Sequence, residues 1–299
     1  MTAKQLPITL AAICLAFFGS SAFADPPANE VEQEFLRLRR SEAGELVALE
    51  TAIASYQGAV DGKQVQVDLI GAVHIADKAY YDSLNKAFEN YDVVLYELVA
   101  PRDTTPMPGQ RSAHPVSFLQ VSMKNMLALQ FQLDCVDYSK KNFVHADMTP
   151  EEFSESMDQR GESMMQMFLR MFGQSIAMQS RDPERKGDAE IFSALFAKPE
   201  VRALRLKRVM AGQFEDMEAA TAVLDGPEGS TIVTERNKAA LRVLKQQLAA
   251  GHARIAIFYG AAHLPDMDER LAADFQLKRC GTKWLTAWDL SDGDAAKTE

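Results

Sequence analysis

Residues 65–98 read VQVDLIGAVHIADKAYYDSLNKAFENYDVVLYEL, and this stretch decides the predicted fold. An apolar run leads into the turn GAVH, which ends at His74. The next residues place Tyr81, Leu84 and Phe88 at helical spacing. The run DVVLY that follows is typical of a strand buried on both faces. The stretch therefore predicts a strand, a GxxH turn, a helix and a second strand.

The same order of elements returns near the other end of the chain. Residues 253–290 read ARIAIFYGAAHLPDMDERLAADFQLKRCGTKWLTAWDL, with a second GxxH turn that ends at His263. Gly71 and Gly260 each precede a histidine by three residues, where glycine permits a tight turn or a close backbone approach. One GxxH turn is a weak signal, but two in matching contexts predict a pseudo-symmetric α/β core with a mixed central sheet.

A large helical insertion, about residues 115–224, is predicted between the two units. It contains a helix start at Thr149, with Pro150 at the first helical position and Glu152 at the capping-box position. Ahead of the first unit, the pair Asp61-Gly62 favours a β-hairpin turn. The chain therefore combines an α/β core with a helical segment that joins its two halves.

The start of the chain predicts export. Lys4 is the only charge before an apolar run, and small residues at Ala22 and Ala24 fit cleavage of a signal peptide, residues 1–24. A retained membrane anchor is the alternative, but the apolar run is shorter than the ~20 residues of a spanning helix. Residues 25–299 then form one domain, beginning with a polar arm or short helix over 25–42. We expect a periplasmic or secreted protein without a stable membrane anchor.

Composition narrows the classes of partner. With 32 Lys and Arg against 42 Asp and Glu, the formal net charge is −10. An acidic chain without a basic tract is a poor candidate for binding nucleic acid. A homo-oligomer is compatible with the sequence, which leaves the oligomeric state open. Cys135 and Cys280 remain after signal cleavage, and an oxidising compartment permits a disulfide between them, with two separate thiols as the alternative.

The two GxxH histidines are the candidate site residues. Residues just past the carboxyl ends of strands line the crevice in which α/β sheets bind ligands, and His74 and His263 both fall there. Glu97 lies near the end of the strand after the first helix. Two imidazoles and a carboxylate suit a divalent transition metal, which would acidify a bound water. The alternative for each histidine is a structural hydrogen bond at a strand or helix end.

Glu97 needs a partner, because an unpaired carboxylate in an apolar strand is costly to bury. A metal, an arginine or a proton would satisfy it, and Arg236 in TERNKAAL is the candidate arginine; a solvated helix start is the alternative for that residue. His145, in NFVHADM, either faces the site or has a local structural role. The chain has no GxSxG, HExxH, CxxC or P-loop motif.

These segments resemble a known family. GAVHIADKAYYDSLNKAFENYDVVLYELV, TERNKAAL and YGAAHLPDMDERL are similar to motifs of the TraB/Tiki superfamily, which includes PrgY and GumN-like proteins, and the resemblance spans about residues 45–290. It implies two GxxH motifs, a glutamate on the strand after the first, and an arginine before the second. In this sequence these are His74, His263, Glu97 and Arg236.

The resemblance also implies a range of functions. Tiki proteins are metal-dependent peptidases that use manganese or cobalt, PrgY-type members inhibit a peptide pheromone, and ChaN-like relatives are associated with haem. It predicts an exported metal-dependent hydrolase, with Glu97 as third ligand or as base, and with Arg236 stabilising an oxyanion or orienting Glu97. Zinc or iron would also suit the ligands. The alternative is a non-catalytic periplasmic protein that sequesters a peptide, haem or metal in the same crevice.

Overall fold

A computed structural model describes seven parts of the chain. The predicted signal peptide, residues 1–24, lies outside them, as do parts of the predicted insertion, residues 115–224. The described parts are residues 35–102, 104–107, 127–163, 165, 193–194, 196–212 and 229–292.

The described parts of the chain contain nine strands and six α-helices. In chain order the strands are β1 (Leu36–Arg40), β2 (Leu46–Val60), β3 (Lys63–Ala72), β4 (Ile75–Ala76), β5 (Val93–Tyr96), β6 (Gln130–Phe131), β7 (Phe143–His145), β8 (Arg254–Gly260) and β9 (Lys278–Asp289). The helices are α1 (Lys78–Phe88), α2 (Gln132–Cys135), α3 (Pro150–Arg160), α4 (Pro199–Ala211), α5 (Arg236–Ala249) and α6 (Leu264–Phe275). A π-helical turn, Thr231–Glu235, precedes α5, and a 3₁₀ turn, Ala261–His263, precedes α6.

A mixed sheet of seven strands forms the centre of the fold, as predicted. Its order is β1-β2-β3-β8-β5-β7, and β9 pairs with β2. Strands β3, β8, β5 and β7 are parallel, with Ala72 opposite Gly260 and with Tyr96 opposite both Phe258 and His145. The carboxyl ends of these four strands therefore meet at one edge of the sheet.

Helices cover both faces of this sheet. Helix α1 buries Tyr80, Leu84 and Phe88 in the core on one face. On the other face, α5 and α6 pack Leu244 and Leu271 against the buried sides of β3 and β8. The central parallel strands are therefore apolar on both faces, which explains why the run before Glu97 carries no polar alternation.

Two local predictions are confirmed. Asp61 (φ 50°) and Gly62 (φ 76°) form a hairpin turn in which Val60 pairs with Lys63. At the start of α3, Thr149 and Glu152 exchange hydrogen bonds between side chain and backbone to complete the capping box. Both features depend on short-range chemistry, which the sequence expresses directly.

The segment at the beginning of the described chain was predicted wrongly. Residues Leu36–Arg40 form β1 and not a loose arm or short helix. Leu36 and Leu38 pack against the core, whereas Arg37 and Arg39 bind the buried carboxylate of Glu50 at 2.8 and 2.9 Å. The alternation of leucine and arginine is the period-2 pattern of a strand with one buried face.

The two GxxH units share an order of elements but differ in pairing. In the first unit, β5 lies directly beside β8 in parallel. In the second, β9 crosses to the far side of the sheet and runs antiparallel to β2. The segment 115–224 is also not wholly helical, because Phe143–His145 forms β7 of the central sheet.

Cys135 and Cys280 form no disulfide in the structure. Cys135 ends α2, where its carbonyl oxygen accepts a hydrogen bond from Asn85 of α1. Cys280 is exposed on β9, and its Sγ donates to the carbonyl oxygen of Ser55 at 3.3 Å. The two residues thus belong to different elements, and each is engaged locally. Within the described ranges, no helix has the length and apolar character needed to cross a membrane.

Candidate functional site

The candidate site lies at the carboxyl ends of the four parallel strands. His74 follows β3, His263 ends the turn after β8, Glu97 follows β5, and Asp147 lies just beyond β7. Arg236, at the start of α5, contacts three of these side chains. Residues separated by up to 189 positions in sequence are thus gathered at the edge where α/β sheets bind ligands.

Glu97 is held by two strong contacts. Its Oε1 accepts a hydrogen bond from Nη2 of Arg236 at 2.6 Å, and its Oε2 accepts one from the backbone N–H of Gly260 at 2.7 Å. Burial raises the pKa of Glu97, but His263, which is protonated in the acid range where this carboxyl titrates, and Arg236 outweigh burial and hold that pKa below its usual range. The carboxylate is therefore ionised at neutral pH.

Both motif glycines allow close packing. A Cβ on Gly260 would lie 3.3 Å from Oε2 of Glu97, so a larger residue would crowd the contact that orients the carboxylate. A Cβ on Gly71 would lie 3.3 Å from the carbonyl oxygen of Phe35 and 3.4 Å from Cβ of Thr51. Gly260 therefore serves the site, whereas Gly71 serves the packing of β3.

Arg236 is anchored by a residue that sequence analysis missed. Its Nε and Nη2 donate to the two carboxylate oxygens of Asp147 at 3.0 and 2.6 Å, a bidentate pair. The Asp147 side chain has no exposed surface, and that of Arg236 is 11% exposed. A π-helical turn, Thr231–Glu235, delivers Arg236 to this position, and such turns are frequent at functional sites.

His263 is a buried imidazole beside Glu97. Its Nε2 lies 3.5 Å from Oε1 of Glu97 and 3.4 Å from Nη1 of Arg236. Its Nδ1 lies 2.7 Å from Oδ1 of Asn237. Burial lowers the pKa of His263 and outweighs the opposing effect of the Glu97 charge, so the ring is neutral near pH 7. Arg236 and the Gly260 N–H are then the contacts that keep Glu97 ionised.

His74 is the exposed member of the site. Its Nδ1 lies 3.2 Å from Oε1 of Gln132, a buried residue at the start of α2. His74 follows β3, whose last residue, Ala72, pairs with Gly260 at the end of β8, so His74 lies at the same edge of the sheet as His263. The site therefore opens to solvent on the side of β3.

The buried part of the site carries an excess negative charge. Glu97 and Asp147 contribute one negative charge each, Arg236 contributes one positive charge, and His263 is neutral, so the sum is −1. A buried net charge is unfavourable unless a counter-charge compensates it. The cluster is therefore electrostatically suited to bind one more cation.

The donor atoms fit a metal ion in part. Nε2 of His263 and Oε1 of Glu97 are 3.5 Å apart, and two ligands of one ion with bonds of about 2.0–2.2 Å lie about 3–3.5 Å from each other. Among the described residues, no three His, Cys, Asp or Glu side chains converge closely enough to form a ligand cluster. A third protein ligand would require His74 to approach this pair.

His145, which the sequence left open, and two aspartates make their contacts outside the cluster. Nε2 of His145 is 2.5 Å from the carbonyl oxygen of Leu98, a local role, while its buried Nδ1 has no hydrogen-bond partner among the described residues. Asp77 forms an ion pair with Lys207 at 2.6 Å and accepts from the backbone N–H of Asp289 at 2.7 Å. Asp77 therefore links α4 to the end of β9. His114 lies outside the described residues.

Comparisons of the chain with protein-family models, with curated proteins and with solved structures found no match.

Proposed function

We propose that the protein is a metal-dependent hydrolase that acts on peptide bonds, in the periplasm or outside the cell. The observation that carries the proposal is the pair of donor atoms, Nε2 of His263 and Oε1 of Glu97, which lie 3.5 Å apart in a buried cluster of charged side chains. The signal-peptide pattern supports the location. The TraB/Tiki resemblance supports the reaction class.

His263, Glu97 and His74 are the proposed ligands. A neutral, buried His263 requires no deprotonation before it binds a cation, and an ionised Glu97 neutralises part of the cation's charge. Nitrogen and oxygen donors suit manganese and cobalt, the metals implied by the resemblance, and also zinc and iron. The bound ion would polarise a substrate carbonyl and acidify a water molecule.

Glu97 acts as a ligand in this proposal and not as the base. A carboxylate whose pKa lies below its usual range is a weak proton acceptor at neutral pH. Its two oxygens are also fixed in direction by Arg236 and Gly260. Fixed orientation with a retained charge is what a metal ligand requires.

Arg236 orients Glu97 and does not stabilise an oxyanion. A guanidinium has five N–H donors, and here they face Asp147 twice, Glu97 once, and, through Nη1, Ile232 and His263. No donor remains to receive a substrate oxygen. Of the two roles that the sequence leaves open, the geometry supports positioning of the carboxylate.

Peptide hydrolysis by the metal-loaded protein is the expected result. We expect the chain, stripped by a chelator and reloaded with Mn²⁺ or Co²⁺, to cleave members of a mixed-sequence peptide library, and we expect the stripped protein to be inactive. Mass spectrometry of the products measures this directly. The variant His252→Ala is a control, because His252 lies in the turn before β8, at the other end of that strand.

Retention of peptide or haemin without cleavage would contradict the hydrolase proposal. That outcome would favour the alternative, a binding protein that uses the same crevice. Haemin binding would give a Soret band that depends on His74 and His263. Cleavage that persists after the metal is removed would also contradict the proposal.

A further inference from the structure

A buried carboxamide determines which nitrogen of His263 carries the proton. Asn237 is fully buried, and its Nδ2 donates to the carbonyl oxygen of His263 at 2.9 Å and to Oδ2 of Asp266 at 2.8 Å. Both partners are acceptors, so the amide can be placed in only one orientation. Its Oδ1, 2.7 Å from Nδ1 of His263, must then accept a proton from that ring. His263 is therefore the Nδ1–H tautomer, with a lone pair on Nε2.

The first GxxH histidine has the same support from a different element. Oε1 of Gln132 lies 3.2 Å from Nδ1 of His74, and Nε2 of Gln132 donates to the hydroxyl of Tyr138 at 2.8 Å. The backbone N–H of Gln132 also donates to the carbonyl oxygen of His74 at 2.9 Å. Gln132 is buried, and because the Tyr138 hydroxyl can donate or accept, the orientation of this amide depends on its contact with His74 and not on two obligate acceptors.

The two carboxamides come from unrelated parts of the chain. Asn237 lies in the first turn of α5, next to Arg236, and Gln132 begins the short helix α2. Each nevertheless presents its oxygen to the Nδ1 of a GxxH histidine. A carboxamide orients an imidazole without adding a charge, so the cluster of Glu97, Asp147 and Arg236 keeps its single excess negative charge.

We infer that Asn237 and Gln132 are positioning residues that hold both GxxH histidines as Nδ1–H tautomers, so that both lone pairs are on Nε2; a cation bound to His263 would replace its 3.4 Å contact with Nη1 of Arg236. The hydrogen bond at one ring nitrogen decides whether the other can act as a ligand, and partners of this kind support metal sites. The effect on metal binding rests on the proposed function. The tautomer of His263 does not, since it follows from hydrogen bonds within the chain.

The tautomers can be read in the metal-free protein. We expect ¹⁵N chemical shifts of the imidazoles in the wild-type chain, kept in chelator, to show a protonated Nδ1 and an unprotonated Nε2 for His74 and for His263. His252 gives an internal reference for an imidazole in a turn. A protonated Nε2 in either GxxH histidine would overturn the inference, whether or not the protein binds metal.

Metal affinity tests the consequence. We expect Gln132→Met, which keeps side-chain length but removes the acceptor, to weaken Co²⁺ binding by about 10–100-fold and to abolish the fixed tautomer of His74. Gln64→Met, an exposed change at the opposite end of β3, should leave the affinity unchanged. An unaltered affinity in Gln132→Met would overturn the positioning role. If the wild type binds no Co²⁺, the proposed function fails, and the ¹⁵N shifts still decide the tautomers.

Discussion

Replacement of Asp147 by alanine should destabilise the protein by about 1–3 kcal/mol for each of the two buried Arg236 donors that it leaves without an acceptor. Arg236 donates to both oxygens of Asp147, whose side chain is fully buried. Without that carboxylate, the guanidinium would retain Glu97 as its one charged partner at 2.6 Å. The free energy of unfolding, from urea denaturation monitored by circular dichroism, measures this loss.

The matched control is Asp82→Ala. Asp82 also pairs with a cation, Lys78, but that pair lies on the exposed face of α1 and should contribute little. Both variants remove an aspartate and its ion pair, so they differ mainly in burial. If Asp147→Ala lowers the free energy of unfolding no more than Asp82→Ala does, the buried pair does not hold the site together.

Replacement of His263 by alanine should weaken metal binding by roughly 100-fold or more. Mutation of a residue that only hydrogen-bonds to a metal ligand already lowers metal affinity by about 10–100-fold, and His263 is itself a proposed ligand. The variant removes one of the two donor atoms that lie 3.5 Å apart, and Glu97 keeps its contacts with Arg236 and Gly260. Isothermal titration with Mn²⁺ or Co²⁺ measures the affinity. Circular dichroism shows whether the fold is retained.

His252→Ala is again the control, since it removes a histidine at the opposite end of β8 from the candidate site. Equal affinities in wild type and His263→Ala would show that the ion binds elsewhere on this acidic protein. Loss of the fold in His263→Ala would instead assign His263 the structural role that the sequence left open. In that case His74→Ala, at an exposed position, tests the ligand set without disturbing the core.

The sequence predicted most of the residues that lie together at this edge of the sheet. Two GxxH turns that follow predicted parallel strands place His74 and His263 at one edge, and the strand after the first helix brings Glu97 to the same edge. Charge balance indicated Arg236 as a partner for that glutamate, and the two are in contact. These predictions succeed because the period of the strands and the position of their ends are local properties.

Asp147 was missed because its strand is too short to show a pattern. β7 has three residues, FVH, and the aspartate comes two positions later in a stretch that also begins a helix. The signal that could have found it is again charge balance: Arg236 begins a helix, where the dipole disfavours a cation, and so needs more negative charge than Glu97 alone supplies.

The strand with which β9 pairs could also not be predicted from the sequence. The local pattern of Lys278–Asp289 predicts a strand, and it forms one. It pairs, however, with the long strand β2, along the edge of Ala48–Gln57. Pairing partners in a sheet depend on contacts between distant segments, so two units with the same order of elements can take different positions.

The most direct test of the account is the metal content of the purified wild-type protein. The formal charges of Glu97, Asp147 and Arg236 sum to −1 beside a neutral His263, and the account predicts that a divalent cation binds to this cluster. Elemental analysis of protein prepared without chelators or a histidine tag should find about one equivalent of manganese, cobalt, zinc or iron, and none in a His74→Ala/His263→Ala variant. No metal in the wild type, even after reloading, would contradict the central claim.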